Sequence, residues 1–473
     1  MFSTKTIPTI AIIGRQNVGK STLYNRITCS RDALVANFPG ITRDPKIGLG
    51  VVGEKEYLIA DTGGFSYDTE DNSLLNRVMH STKEIALEAE ILLFIVDSRE
   101  GLTEQDRAVA FEIRKWNKPT ALVANKSESA DPDLIISEFS ALGFKDIFCI
   151  AAKTNMGITE LIKATTEPFL KSIDTAYAQE PEEKRLSISI IGKPNVGKST
   201  LINKVVGFDR MITSNIPGTT RDDIWVNFER KGKKYTFVDT AGLRRKSRVT
   251  EYPEKLTALK TLKTIASSEI TILVIDASNP ISAQDLNLLG QVLNNGKALV
   301  IAANKWDLLK NHEKDNFLKD IERRFNFVKF SEVVLISARE GFGIENLFEA
   351  IVRTWNAITK EIKTGVLSKL IEEAVLNHAP PLVRGRRIKP RFAHIGSRNP
   401  LTILIYGNQV KSIPKSYGRY LENFLREKLK LSGTPIKLIY RQSENPFAGK
   451  KNILSKRQVA KRKRLLNYSK KKR

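Results

Sequence analysis

Gly14-Arg15-Gln16-Asn17-Val18-Gly19-Lys20-Ser21 and Gly192-Lys193-Pro194-Asn195-Val196-Gly197-Lys198-Ser199 carry one pattern, G-x-x-x-x-G-K-S, at positions 178 residues apart. A polyphosphate must be held by donors that do not crowd it. Glycines let backbone N–H groups close around its oxygens at the start of a helix, where the helix dipole also favours an anion. Lys20 and Lys198 then reach the β- and γ-phosphates, and the hydroxyls of Ser21 and Ser199 suit a Mg²⁺ ion. Each octet follows a short apolar run, Thr9–Ile13 or Ser187–Ile191, and opens a stretch with helical spacing, which is the setting the pattern requires.

The repeat reaches well beyond the octets. Thr9–Ile27 aligns with Ser187–Val205, the same offset of 178 links Thr42 to Thr220 and Asp61 to Asp239, and it becomes 179 from Asn125 to Asn304. A period this long is a duplicated domain and not a solenoid. Short apolar runs recur at Ile91–Val96, Thr120–Ala124 and Ile147–Ala151, and again at Ile270–Ile275, Ala298–Ala303 and Val333–Ser337. Alternating with helical lengths, they predict an α/β fold, a mainly parallel sheet with helices on both faces. Asn311–Asn316 reads as part of a surface insertion in the second copy. The expected division is two tandem P-loop domains over 1–170 and 187–359, a polar linker over 171–186, a small α+β domain over 360–441, and a basic tail over 442–473. In the small domain, Ser368–Asn377 and Tyr417–Leu431 read as helices and Leu401–Tyr406 and Ile436–Tyr440 as strands. The tail has too few apolar residues to pack a core and is expected to be disordered when free.

Asp61-Thr62-Gly63-Gly64 and Asp239-Thr240-Ala241-Gly242 each begin 47 residues after the first loop glycine. An aspartate there suits Mg²⁺, and Gly64 or Gly242 can donate its N–H to the γ-phosphate. Thr42 and Thr220, between the motifs, could close onto Mg²⁺ only when a γ-phosphate is present, which is the physics of a switch. Lys20, Thr42 and Gly64, with Lys198, Thr220 and Gly242, are therefore the candidate catalytic groups. The candidate Mg²⁺ ligands are Ser21, Thr42, Asp61, Ser199, Thr220 and Asp239. Phe65 and Leu243 follow the two D-x-x-G motifs.

The base is read further on. Asn304-Lys305-Trp306-Asp307 fits N-K-x-D at a strand end. The Asp307 carboxylate can accept from N1–H and N2–H of guanine; adenine offers no matching donor pair, so the motif selects GTP over ATP. Ser337 and Ala338 can donate backbone N–H groups to guanine O6. The first copy has Asn125-Lys126-Ser127-Glu128, with Ala151, Ala152 and Lys153 downstream. Glu128 stands where an aspartate is expected, which weakens the guanine reading for that copy. Asp97 and Asp276 read as structural, and Trp306 as packing beside the base.

Hydrophobic residues make up 41% of the 473, enough for ordinary cores. No run approaches the roughly 20 apolar residues of a membrane helix, and Met1–Thr9 lacks the apolar centre of a secretory signal. The two cysteines, Cys29 and Cys149, and the four scattered histidines give no zinc or disulfide framework, which fits a reducing cytosol. The net charge of +25 is concentrated late in the chain: residues 364–440 hold 14 lysines and arginines against 4 glutamates, and residues 441–473 hold 13 against 1. A block of one sign is the electrostatic footprint of a polyanion partner.

The motif order, duplicated, resembles the tandem Era-like GTPases of the Der (EngA) family over nearly the whole chain. Tyr417–Asn423 and Gly433–Ile439 look like that family's KH-like domain. The resemblance implies hydrolysis of GTP to GDP and phosphate with Mg²⁺, and a role in assembly of the large ribosomal subunit with rRNA as partner. It is read together with a cytoplasmic, monomeric protein that meets no membrane. Residues 364–440 contain no G-x-x-G, the clamp of RNA-binding KH domains, so RNA contact is expected from basic surface. In Ras-type enzymes a glutamine after D-x-x-G orients water and an arginine finger adds charge; neither Phe65 nor Leu243 orients water. Like cation-dependent Era-like members, the chain is expected to use K⁺, with Asn17 and Asn195 as candidate ligands. Two other readings share the motifs: a nucleotide-gated RNA-binding protein of low turnover, and a tRNA-modification GTPase, a class with one such domain and a C-terminal cysteine motif that this chain lacks.

Overall fold

Ile91–Asp97 is buried at all seven positions, and Ile270–Asp276 repeats the pattern. A continuous apolar strand of this kind is stable only within a sheet covered on both faces. The computed structural model describes residues 7–28, 47–52, 55–62, 82–177, 185–208, 210–211, 225–238, 254–383, 385, 387–398 and 400–442. Two compact units divide them. One is the chain up to Glu361 with Gly396–Thr402 and Arg426–Lys437; the other is Ile362–Ile395, Ile403–Leu425 and the chain from Leu438.

The first copy holds β1 (Thr9–Ile13), β2 (Ile47–Val52), β3 (Lys55–Asp61), β4 (Ile91–Asp97), β5 (Thr120–Asn125) and β6 (Ile147–Cys149), in the order β2-β3-β1-β4-β5-β6. All neighbours are parallel except β2 with β3 at the edge. The second copy holds β7 (Leu186–Ile191), β8 (Arg210–Met211), β9 (Val226–Arg230), β10 (Lys233–Val238), β11 (Ile270–Asp276), β12 (Ala298–Asn304) and β13 (Glu332–Leu335). Its order is β13-β12-β11-β7-β10-β9-β8, the same arrangement with one short strand added at the edge. In both sheets the chain winds to one side of the first strand and then to the other. The crevice outside the carboxyl ends at that reversal is where open α/β sheets bind ligands. The registers Asp97↔Asn125 and Asp276↔Asn304 bring these four side chains to that end.

Several boundaries differ from the sequence reading. β6 ends at Cys149 and β13 at Leu335, while Ala151 and Ser337 form only isolated bridges to Met156 and Phe342. The chain folds back there through Gly157 and Gly343, at φ +71° and +73°, so close that a Cβ would meet the carbonyl oxygens of Cys149 and Leu335. The segment from Asn311 is the start of a helix, Asn311–Arg324, 14 residues long against 8 for its counterpart Pro132–Phe139. The added length of the second copy is therefore helical. Helix Ile158–Tyr177 carries Pro168 within it and still runs into the stretch read as a linker.

The C-terminal sheet has the order β14-β15-β16, with β14 (Lys389–Arg398), β15 (Leu401–Asn408) and β16 (Ile436–Gln442). Leu367 and Ile371 of helix Thr364–Asn377 and Leu421 and Leu425 of helix Lys415–Leu429 are fully buried, as are Ile403 and Ile405. β14 was not legible because Pro390 and Gly396 interrupt it. It is an edge strand, where a missing N–H is tolerated. From residue 443 the basic tail lies outside the described residues. No helix among the described residues is long and apolar enough to cross a membrane.

Within the larger unit the two copies share apolar packing. Leu259 of helix Glu254–Ala266 is buried in a cluster with Ile85, Ala86 and Ala89 of the first copy. Leu262 and Ala266 join Ile7, Leu49 and Leu58. Beside them the Lys263 ammonium lies 2.9 Å from Glu90 Oε1, while Glu90 Oε2 accepts the N–H of Thr9 at 2.7 Å. The carboxylate is thus buried with a cation and a donor, as a buried charge must be.

Candidate nucleotide-binding sites

The octets leave β1 and β7 and lead into helices Lys20–Thr28 and Lys198–Phe208. Gly14 and Gly192 take φ +154° and +155°, and a Cβ on either would land on a backbone oxygen, of Ile95 or Val274. Asn17 and Asn195 are also left-handed, at φ +65° and +63°. Asparagine tolerates that conformation better than most residues, so part of its use here is backbone geometry. Both asparagines are exposed, and among the described residues neither side chain has a hydrogen-bond partner.

The Lys20 ammonium donates to the carbonyl of Arg15 at 2.5 Å. Lys198 donates to Gly192 and Lys193 at 2.8 and 2.6 Å. Each cation therefore sits over its own loop. Burial pushes the Lys198 ammonium down to about 8. An anion would relieve that desolvation. Ser21 Oγ donates to Asp61 Oδ2 at 2.8 Å. A hydroxyl and a carboxylate brought together in this way form the hard-oxygen set that Mg²⁺ takes. Ser21 and Asp61 would hold the ion, and the set fits. Thr62 is fastened to β1, its hydroxyl donating to the Ile12 carbonyl at 2.7 Å. Thr42, Gly63, Gly64, Phe65, Thr220, Asp239, Thr240, Ala241, Gly242 and Leu243 lie outside the described residues.

The cations that follow the first loop glycines do not point at phosphate. Arg15 Nε donates to Asp106 Oδ1 at 3.2 Å, and its Nη2 lies 2.6 Å from Glu100 Oε2. Lys193 sits 2.8 Å from Asp285 Oδ2. Asp106 and Asp285 are the capping-box acids of helices Glu104–Lys115 and Ala283–Asn294. Arg15 and Lys193 thus clamp the phosphate loop to the helix that follows β4 or β11, and only their backbone remains for a ligand.

The asparagines of the base motifs tie three loops together. Asn125 Nδ2 donates to the carbonyl of Val18 at 2.8 Å and its Oδ1 accepts the N–H of Ala152 at 3.0 Å. Asn304 does the same with Val196 and Ala338, both at 2.8 Å. The N–H of Ala338 is taken by Asn304, and that of Ser337 by the Phe342 carbonyl at 3.0 Å. Lys126 and Lys305 are left-handed, at φ +68° and +67°. Lys126 pairs with Asp97, and Lys305 lies 2.6 Å from Asp276. Burial alone would raise the Asp276 carboxyl; hydrogen bonds from Lys305, Ser278 and Asn279 outweigh it and hold it low. The two aspartates read as structural therefore act by anchoring the motif lysines. Trp306 packs against Phe317, with centroids 6.2 Å apart.

The two copies part at the fourth motif position. Asp307 is exposed. Glu128 is half-buried; its Oε1 accepts from Arg99 Nη2, and its Oε2 is buried with no hydrogen-bond partner among the described residues. Ser278 stands at the position of Arg99 in the second copy and bonds inward to Asp276 at 2.6 Å. Sequence reasoning saw Glu128 and missed Arg99; the signal was a cation two residues after the strand-end aspartate in one copy alone.

A family profile described as "50S ribosome-binding GTPase" matches residues 9–126 and 187–305, and one described as "KH-domain-like of EngA bacterial GTPase enzymes, C-terminal" matches 361–441. The protein named GTPase Der from Thioalkalivibrio sulfidiphilus is 45% identical over 98% of this chain and 100% of its own length. The chain belongs to the GTPase Der family. GTPase Der of Legionella pneumophila is 44% identical over the same 98% of this chain. Among solved structures, Aquifex aeolicus Era bound to GDP·AlF4⁻ covers 61% of this chain and 99% of its own at 20% identity and a TM-score of 0.30, a likeness that carries no functional weight. As a member of the Der family this chain binds GTP and hydrolyses it, and its two nucleotide domains are the repeated halves described above.

Two outcomes follow from the geometry. With Lys198 at about 8 in the free protein, only its protonated form attracts phosphate, so affinity at the second site should fall as pH rises through that value. Calorimetry above pH 8, in buffers of different ionisation enthalpy and with the first site silenced by Lys20→Met, should show proton uptake on binding GDP. Equal heats in all buffers would contradict it. At the first site, with the second silenced by Lys198→Met, Arg99→Ala should lower GTP affinity severalfold, an effect of about 1 kcal/mol for an exposed pair. The double change Arg99→Ser with Glu128→Asp, which copies the second site, should recover it.

Proposed function

We propose that the two sites hold GTP through the residues laid out above and that nucleotide state governs association with the large ribosomal subunit during its assembly. The observation that carries this reading is the doubled asparagine tie, which fixes the phosphate loop against the base-side loop in both copies at nearly equal distances. Loops held in that relation fit a purine nucleoside triphosphate at both ends. Glu128 and Asp307 read guanine; Lys20 and Lys198, with the loop N–H groups, hold the β- and γ-phosphates.

Water attacks the γ-phosphorus. The bond from that phosphorus to the β–γ bridging oxygen breaks, and phosphate leaves GDP. The growing charge on the bridging oxygen falls beside Lys20 or Lys198, where a preformed cation stabilises it without reorganisation. No side chain is assigned as general base. Mg²⁺, which Ser21 and Asp61 would hold, would offset phosphate charge when bound. Motif order supports a role for Thr42, Gly64, Thr220 and Gly242 toward the γ-phosphate.

The finer reading is K⁺ activation. The exposed amides of Asn17 and Asn195, unpartnered among the described residues, support a role beyond bracing the loop. Turnover at fixed ionic strength should be faster in KCl than in NaCl, and Asn17→Ala and Asn195→Ala should each remove part of the difference. Equal rates in the two salts would reject the cation.

Ribosomal association is tested by sedimenting the protein with purified subunits in GDP, GTP and a non-hydrolysable analogue. Nucleotide-dependent binding to the large subunit is expected. Binding to neither subunit in any state would reject the ribosomal role and leave the GTPase intact. The basic C-terminal quarter supports an RNA contact, and binding should weaken steeply with salt as counterions are released.

A further inference from the structure

Residues 384–391 place five arginines and lysines directly ahead of Phe392 and His394 on β14. The neighbouring β15 adds Tyr406, and the three rings form one patch. His394 is stacked on Tyr406 with centroids 5.4 Å apart and planes at 17°. Phe392 lies 5.6 Å from His394 and 5.9 Å from Tyr406. Ala393, Ile403 and Ile405 are fully buried, so strand alternation puts Phe392, His394 and Tyr406 on the face away from the core. Phe392 remains 43% exposed. A single exposed phenylalanine needs no explanation; three contiguous rings bordered by cations do. Arg387, Lys389 and Arg391 are exposed, and among the described residues none of them is in an ion pair.

Every nucleobase has a π-face that stacks on an aromatic ring whatever the sequence, and phosphates pair with arginine and lysine. A duplex hides its base faces, so this surface could offer it only the cations. We propose that Phe392, His394 and Tyr406 form a stacking platform for unpaired RNA bases, with Arg387, Lys389 and Arg391 holding the phosphates that run past it. The proposal rests on reading the C-terminal domain as an RNA contact, and it supplies the means that the absence of a G-x-x-G loop removes. The charge of residues 364–440, 14 cations against 4 anions, favours RNA over a protein partner.

The test uses the full chain and a short fluorescein-labelled single-stranded pyrimidine RNA, with an RNA duplex as control, titrated by anisotropy over a range of KCl concentrations. Phe392→Ala should weaken single-strand binding about tenfold at every salt concentration. The slope of log affinity against log salt should stay unchanged. Arg391→Gln should instead lower that slope by about one. Phe392→Trp should bind as tightly as the wild type, and duplex binding should ignore Phe392→Ala. GTP turnover and melting temperature, unchanged in the Phe392 variants, exclude a folding defect. Should Tyr406→Ala fail to fold, the Phe392 pair still decides.

Wild-type affinity in Phe392→Ala overturns the proposal, as do equal losses on single strand and duplex, or a wild type that binds no single strand. Loss of subunit sedimentation with oligonucleotide binding intact also overturns it, making the face a protein-docking surface. A wild type that fails to sediment with subunits, yet shows the Phe392 effect on the oligonucleotide, rejects the ribosomal reading and keeps the platform.

Discussion

Asn125 and Asn304 each place one amide between three pieces of chain that have no other reason to agree. Their amide nitrogens hold the phosphate loops, 107 and 108 residues earlier, and their oxygens hold the loops that follow β6 and β13. Both amides are buried, so each unmade bond would leave a desolvated polar group, at roughly 1–3 kcal/mol. Much else takes its position from this. Gly19 and Gly197 are required because a Cβ would strike the same amides. The next residue, lysine in both copies, turns left-handed and reaches back to the aspartate at the end of β4 or β11. The site is a set of loops tensioned against one another, and the sheet registers bring them to one end.

The two copies differ where chemistry differs. The clamp from the second loop position uses arginine with two carboxylates in one and lysine with a single carboxylate in the other. A guanidinium has enough donors for both partners, whereas an ammonium is a compact point charge. At the fourth motif position the first copy combines a longer acid with an arginine that steadies it, and the second uses a shorter, exposed acid with no ion-pair partner among the described residues. Each difference is a matched pair, so neither residue of a pair is understood without the other.

Legibility in the sequence followed the range of the interactions. β1, β4 and β5 were readable because their burial on both faces writes itself as an unbroken apolar run. The antiparallel strands β2–β3 and β9–β10 were missed because Gly48 and Gly50 interrupt β2 and charged residues enter the other three, although Tyr57–Ala60 and Tyr235–Val238 are buried. β14 was hidden by Pro390 and Gly396. Motif spacing found the phosphate loops and the Ser21–Asp61 pair, whose partners lie 40 residues apart but within recognised patterns. It did not find the partners of Arg15 or of the asparagines. Those are carboxylates and backbone groups in unrelated segments, and no local pattern marks them.

Helix Glu254–Ala266 follows the second D-x-x-G region in the chain, yet its apolar side, through Leu259, Leu262 and Ala266, completes the interior of the first copy. The unit of inheritance and the unit of packing are therefore different lengths. A first half transplanted from a distant relative would arrive with a groove cut for some other helix. Such grafts would have to carry the helix with them, and drift in one half is answerable to the other at Ile85, Ala86 and Leu58 as much as at any nucleotide contact.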